Sequence, residues 1–141
     1  MCHAGRQLVV MTAAVQQAIA EIRAAFPGHE MDVEPDADGG AYVKVHDVFL
    51  GDQYEPSASW LAFRITFQYP FADIYPHFCT ATLKRKGGRS LGDGFNLNNQ
   101  WQTPKATEPA ILLSRRSNRL NPETDTAALK LAKVLDWIRS R

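Results

Sequence analysis

The side chains able to do covalent chemistry are few and widely spaced. Cysteine occurs at Cys2 and Cys79 only. His3, His29, His46 and His77 are scattered, with neither Cys-x-x-Cys nor His-x-x-x-His spacing, so the sequence predicts no metal site and no cofactor. Cys79 lies in the run Phe78-Cys79-Thr80-Ala81-Thr82-Leu83. Alternation puts it on one face with Ala81 and Leu83, and Thr80 and Thr82 on the other. That pattern predicts a buried, structural thiol. A serine nucleophile needs a neighbouring base. Ser90 has only Asp93 close in sequence, and Ser114 and Ser117 flank arginines, so each reads first as a solvated loop hydroxyl. Lys86-Gly87-Gly88-Arg89 lacks the spacing of a phosphate loop and reads as a basic hairpin tip.

Arg115, Arg116 and Arg119 form the densest charge on a chain whose net charge is +1. The plain expectation is a solvated face or ion pairs with Glu123 and Asp125. The planar guanidinium also suits a protein interface, where it binds carboxylates bidentately and stacks on aromatic rings. The near-neutral balance gives no support to bulk nucleic-acid or anionic-membrane binding. With 141 residues, 45% hydrophobic and 22% charged, the chain has the make-up of one soluble domain. Two cysteines give no disulfide framework, and the run Leu8-Val9-Val10-Met11 is too short for a signal core or a membrane span. A cytoplasmic protein is expected.

The elements that must position these groups follow from periodicity. Residues 1–6 read as a loose lead-in. Leu8, Met11, Val15, Ala18 or Ile19, Ile22 and Phe26 predict an amphipathic helix that Pro27-Gly28 stops. Met31 to Glu34 and Ala41 to Val48 predict a hairpin around Asp36-Ala37-Asp38-Gly39-Gly40. Trp60 to Phe67 alternates clearly, with Leu61, Phe63, Ile65 and Phe67 on one face. Phe78 to Leu83 supplies a fourth strand. Residues 84–109 show no regular period and read as a long irregular loop, and 111–120 as a short helix or turn. A last helix is expected from Asn121 as N-cap and Pro122 as first residue, with Ala128, Leu131, Leu135 and Ile138 buried. The fold class expected is α+β: an N-terminal helix, a four-stranded antiparallel meander, a long irregular loop and a C-terminal helix.

That order, with Phe63 to Phe67, Tyr69-Pro70-Phe71, Pro76 and Phe78-Cys79-Thr80, resembles the ubiquitin-conjugating (E2, or UBC) fold. Asn99-Gln100-Trp101-Gln102-Thr103-Pro104 is similar to the Trp-x-Pro segment that follows the active site in that family. The departures are specific. There is no His-Pro-Asn motif, and the slot for the catalytic cysteine, Asp93-Gly94-Phe95-Asn96-Leu97, holds none. The arginine-rich Ser114-Arg115-Arg116-Ser117-Asn118-Arg119, which is unlike eukaryotic members, implies a place in a bacterial ubiquitin-like conjugation system. The resemblance with these departures implies a non-catalytic relative in such a system. It implies binding of a ubiquitin-like protein, or of its E1-like or E2-like partner, and no nucleic acid or membrane. Tyr69, Phe71, Phe95, Trp101, Arg115, Arg116 and Arg119 are the candidate contact residues. The alternative is a divergent active enzyme that carries its ubiquitin-like protein on Cys79 or as an oxyester on a serine such as Ser90.

Overall fold

The structure is a computed structural model that describes residues 10–141. The expectations for Cys2, His3, Leu8 and residues 1–6 lie outside the described residues. Helix α1, Ala13–Ala25, begins at Thr12, whose hydroxyl accepts from Val15 N at 3.1 Å. That cap answers one of the unpaired N–H groups at the helix start, so the expected periodicity from Leu8 does not set where the helix begins. Val15, Ala18, Ile19 and Ile22 form its buried stripe.

Strands β1 (Met31–Pro35) and β2 (Ala41–Phe49) form the expected hairpin, with Val33 opposite Val43. Between them the carboxylate of Asp36 accepts from Asp38 N and Gly40 N, both at 2.8 Å. It also receives Nε and Nη2 of Arg64 at 3.1 and 2.9 Å. A Cβ on Gly40 would collide with the Ile65 carbonyl and with Asp36, so the turn needs glycine there. The short β3 (Tyr54–Glu55) precedes β4 (Ala58–Ile65). Leu61, Phe63 and Ile65 of β4 are fully buried as expected, but the strand stops before Phe67, which is half exposed. Strand β5, His77–Thr80, ends sooner than expected, and Ala81 lies in an exposed turn.

The stretch expected to be irregular is mostly strand. Lys84–Arg85 (β6) pairs with β3. Phe95–Gln102 (β7) and Thr107–Leu113 (β8) form a hairpin whose turn is closed by Thr103 N donating to Ala106 O at 2.8 Å. The expected four-stranded meander is thereby a six-stranded sheet, ordered β1-β2-β4-β5-β8-β7, with every neighbouring pair antiparallel. The polar sequence of β7 disguised it, as did a register shift between Asn96 and Asn99 with Asn98 at φ 62. Pro109 lies one residue beyond the last β5–β8 rung, Thr80↔Ala110, where β8 can tolerate a missing donor. The expected helix or turn at 111–120 is instead strand as far as Leu113.

Helix α2, Ala127–Arg139, starts six residues after the expected cap. Asn121 closes a separate turn, accepting from Glu123 N at 3.0 Å and Asp125 N at 2.8 Å. The helix is capped by Thr126, whose hydroxyl accepts from Leu129 N at 3.1 Å. Both helices cover one sheet face. Ile22, Leu131 and Ile138 meet Val43, Phe63, Cys79 and Ile111 in one core. Ala62, Trp101 and Ala110, with Tyr42, Trp60 and Phe78, form a smaller cluster on the opposite face. Among the described residues, no helix is long and apolar enough to cross a membrane.

Burial pushes the Asp36 carboxyl up, but the N–H groups of Asp38 and Gly40 and the Arg64 guanidinium outweigh it and hold it below the ordinary value. A depressed carboxylate contributes stability that is present above its unfolded pKa and lost as pH falls through the folded one. Asp36→Ala is expected to cost about 2–3 kcal/mol by urea unfolding at pH 7, against less than about 0.5 for the exposed Asp38→Ala. The Asp36→Ala cost should shrink below about pH 4; an equal cost for both variants would contradict the assignment.

Candidate functional site

The segment Asp93-Gly94-Phe95-Asn96-Leu97 is packed at its centre and exposed on either side. Gly94 has φ +90, and a Cβ there would lie 2.5 Å from the Trp137 ring. Phe95 is buried and stacks on Trp137 with centroids 4.8 Å apart. Strand β7 therefore starts pressed onto α2 at Gly94 and Phe95, while Asp93, Asn96 and Leu97 face solvent.

The expected thiol is sealed. Cys79 is fully buried, and burial pushes its pKa up to about 12, so the nucleophilic thiolate is not formed near neutral pH. Ser90 is exposed, its carbonyl accepts from Arg85 Nε at 3.0 Å, and its hydroxyl has no base in hydrogen-bond reach among the described residues. Among the described residues, no cluster of three or more His, Cys, Asp or Glu side chains could hold a metal ion.

The expected contact residues divide by exposure. Trp101 is buried against Tyr42 and Phe78, with centroids 6.0 and 5.2 Å away. Tyr69 is half-buried, and its hydroxyl accepts from Ala127 N at 3.0 Å, fixing the start of α2. Burial raises the Tyr69 phenol above its ordinary pKa. Phe71, by contrast, is 77% exposed. Phe67 and Leu129 are each 51% exposed. Leu129 lines a small cleft with Tyr69, Pro70 and Ala72, so these apolar groups gather where the Pro-rich turn meets α2.

Arg115, Arg116 and Arg119 come together at a cleft of about 470 Å³ that Ser117, Lys130, Lys133 and Asp125 also line. The expected ion pairs to Glu123 and Asp125 do not form: among the described residues none of these arginines has an acidic partner within 4.0 Å. Aromatic rings hold two of them instead. The Arg115 guanidinium lies 5.0 Å from the Trp137 ring centre, and that of Arg116 lies 3.9 Å from the Tyr75 ring centre.

The cleft floor is a polar knot that sequence reading missed. Ser117 N and Oγ donate to the two oxygens of Asp73 at 2.7 and 2.9 Å. Lys130 Nζ reaches Ser117 Oγ at 2.8 Å and Asp73 Oδ1 at 3.1 Å. The only sequence signal was a lysine inside the apolar stripe of α2. The Ser117 proton points at a carboxylate that its partners hold below the ordinary value despite burial, and a weakly basic carboxylate does not activate a hydroxyl. The knot positions the arginines; it has no means of attack.

His77 is buried on Phe63, with centroids 5.1 Å apart, and neither ring nitrogen has a hydrogen-bond partner among the described residues. Burial, reinforced by Lys130 and opposed by Asp73, lowers its pKa to about 3. No family model, curated protein or solved structure matches the chain.

Two measurements test this arrangement. In a Cys2→Ser background the native protein should not react with an aromatic disulfide at pH 8, and should react fully once unfolded in guanidinium. Native reactivity would show an accessible Cys79. His77 stays neutral in the fold while the unfolded chain protonates below about pH 6.5. Its contribution therefore falls by up to about 1.4 kcal/mol per pH unit as pH drops from there toward 3. His77→Leu is expected to be as stable as the parent at pH 7, and to remove about 2 kcal/mol of the parent's loss between pH 7 and pH 5. An unchanged pH slope would reject the buried neutral imidazole.

Proposed function

We propose that the chain is a non-catalytic binding subunit of a bacterial ubiquitin-like conjugation system, built on a ubiquitin-conjugating-like α+β domain. Its partner is a ubiquitin-like protein, or the E1-like or E2-like protein that handles one. Support for the family reading comes from Tyr69-Pro70-Phe71, Pro76 and the helix–sheet–helix order. The β7–β8 hairpin departs from the family pattern, because it fills the place of an active-site loop. Support for a binding role without chemistry comes from the sealed Cys79 and from Ser90, which has no base beside it.

The observation that carries the reading is the exposed apolar surface at the Pro-rich turn. Phe71 stands 77% exposed on the segment that bears the resemblance, between Pro70 and Ala72, which line a cleft with the half-exposed Leu129. Single exposed apolar residues are ordinary, but a large aromatic side chain left uncovered beside an apolar-lined cleft suits a protein contact. Carriage on Cys79 or Ser90 is the competing reading.

The test mixes the protein with a bacterial ubiquitin-like protein, the E1-like enzyme that activates it and ATP, and follows intact mass and size exclusion. Co-elution without a covalent adduct is expected. Phe71→Asp should weaken the complex about 10-fold or more, whereas Phe71→Leu should retain most of the affinity. A covalent adduct would overturn the non-catalytic reading, and the absence of both adduct and complex would overturn the partner.

A further inference from the structure

The arginine cleft has a charge and a shape that the contact surface at Phe71 does not explain. Arg115, Arg116 and Arg119 donate no side-chain hydrogen bond to any described residue; Arg23, Arg89 and Arg141 are alike in that, but the first three line one concavity. Of the other cations around the cleft, Lys130 is paired with Asp73 at 3.1 Å and Lys133 faces Asp125 at 4.0 Å. Three guanidinium charges are left uncompensated at one concavity on a chain of net charge +1.

Their posture matches that excess. Arg115 lies over Trp137 and Arg116 over Tyr75, and neither side chain donates a hydrogen bond to a described residue, so their donors are available to a ligand. The segment between them is not loose, because Ser117 is pinned to Asp73 through both its N–H and its hydroxyl. Donors held in place before a ligand arrives lose less freedom on binding.

We propose that this cleft is a binding site for a phosphate monoester or diphosphate. One carboxylate would neutralise only one of the three charges, whereas a phosphate monoester carries about −1.5 to −2 at pH 7 and a diphosphate more. Phosphate oxygens also accept paired N–H bonds from several guanidinium edges at once. The volume of about 470 Å³ exceeds one phosphate and leaves space for the group that bears it, within the usual size of small-ligand clefts. A small nucleotide and a phosphorylated side chain present the same chemistry. The site stands or falls independently of any conjugation partner.

Calorimetric titration of the full chain with inorganic pyrophosphate, at physiological ionic strength, tests it. Binding at one site in the low-millimolar range or tighter is expected. Arg115→Gln, Arg116→Gln and Arg119→Gln should each weaken it about 10-fold, and Arg89→Gln, at an arginine that does not line the cleft, should leave it unchanged. All four side chains are exposed, so melting temperatures should stay close to the parent's. Parallel titrations with AMP and with a phosphoserine peptide identify the source: whichever binds more tightly than pyrophosphate supplies the phosphate. Absence of pyrophosphate binding would overturn the proposal. So would an equal loss in Arg89→Gln, or tighter binding of an unphosphorylated glutamate-rich peptide.

Discussion

The Asp73–Ser117–Lys130 knot is the constraint on which the rest of this end of the molecule depends. It ties three segments far apart in sequence: the Pro-rich turn before β5, the stretch after β8, and the first turn of α2. A lysine on the buried stripe of a helix is costly unless its charge is met. Lys130 is only 10% exposed at its side chain, and the Asp73 carboxylate and Ser117 hydroxyl both meet it. Such a pair adds little to net stability compared with an apolar substitute, but losing one partner leaves a buried charge unanswered. Its effect is to fix one path for the chain. Residues 114–120 have no regular hydrogen-bond ladder, and this knot, with the Tyr75–Ser114 hydroxyl bond of 2.7 Å, holds them against α2.

The knot also governs its neighbours. Lys130 stands near His77 and opposes protonation of an imidazole that burial already keeps neutral. A histidine in the core with no partner for either nitrogen is tolerable only uncharged, and the positive charge beside it reinforces that state. Asp73 cancels Lys130 locally, so the field in the adjoining cleft comes from Arg115, Arg116 and Arg119 rather than from the lysine beneath them. Burial sets the protonation of the core histidine, and the pair's main effect is on the charge presented to solvent.

How far the sequence discloses this structure depends on the range of the interactions. Alternation puts Val43 and Val45 on one face and Leu61, Phe63, Ile65 and Phe67 on one face; the first five are fully buried, and Phe67, beyond the end of β4, is half exposed. By the same reasoning Cys79 is expected to be buried, as it is. Period-2 reasoning fails where the ladder slips. Phe95 and Trp101 are both odd-numbered residues of β7 and should share a face. The shift between Asn96 and Asn99 turns Phe95 toward Trp137 and Trp101 toward Tyr42, on opposite sides of the sheet. The Asn-rich run reads as loop because Asn, Gly and Gln are weak strand formers, and pairing with the apolar β8 overrides that preference. The cap of α2 was misplaced because Asn121-Pro122-Glu123 has a good local start signal. The observed cap, the Thr126 hydroxyl accepting from Leu129 N, is itself local, whereas the bond from Ala127 N to the Tyr69 hydroxyl spans 58 residues and leaves no trace in local pattern.

The candidate site shows the same division. That the three arginines would be neighbours was readable from their spacing. What they would face was not, because each partner arrives from elsewhere in the chain: Trp137 from the far end of α2, Tyr75 from the Pro-rich turn. Local reasoning offered Glu123 and Asp125, close in sequence and opposite in charge. The turn that Asn121 closes draws Asp125 back to accept from Asn121 N at 2.8 Å, which leaves it a poor partner for the arginines. Asp36 shows that a carboxylate can accept backbone N–H bonds and still pair with a guanidinium, so what keeps Asp125 from the arginines is the place its turn gives it. Packing on rings leaves the Arg115 and Arg116 charges unneutralised, whereas an ion pair would have cancelled one of them. Asp125 could neutralise one of the three charges at most, so the cleft keeps a cationic excess whichever partner its carboxylate takes.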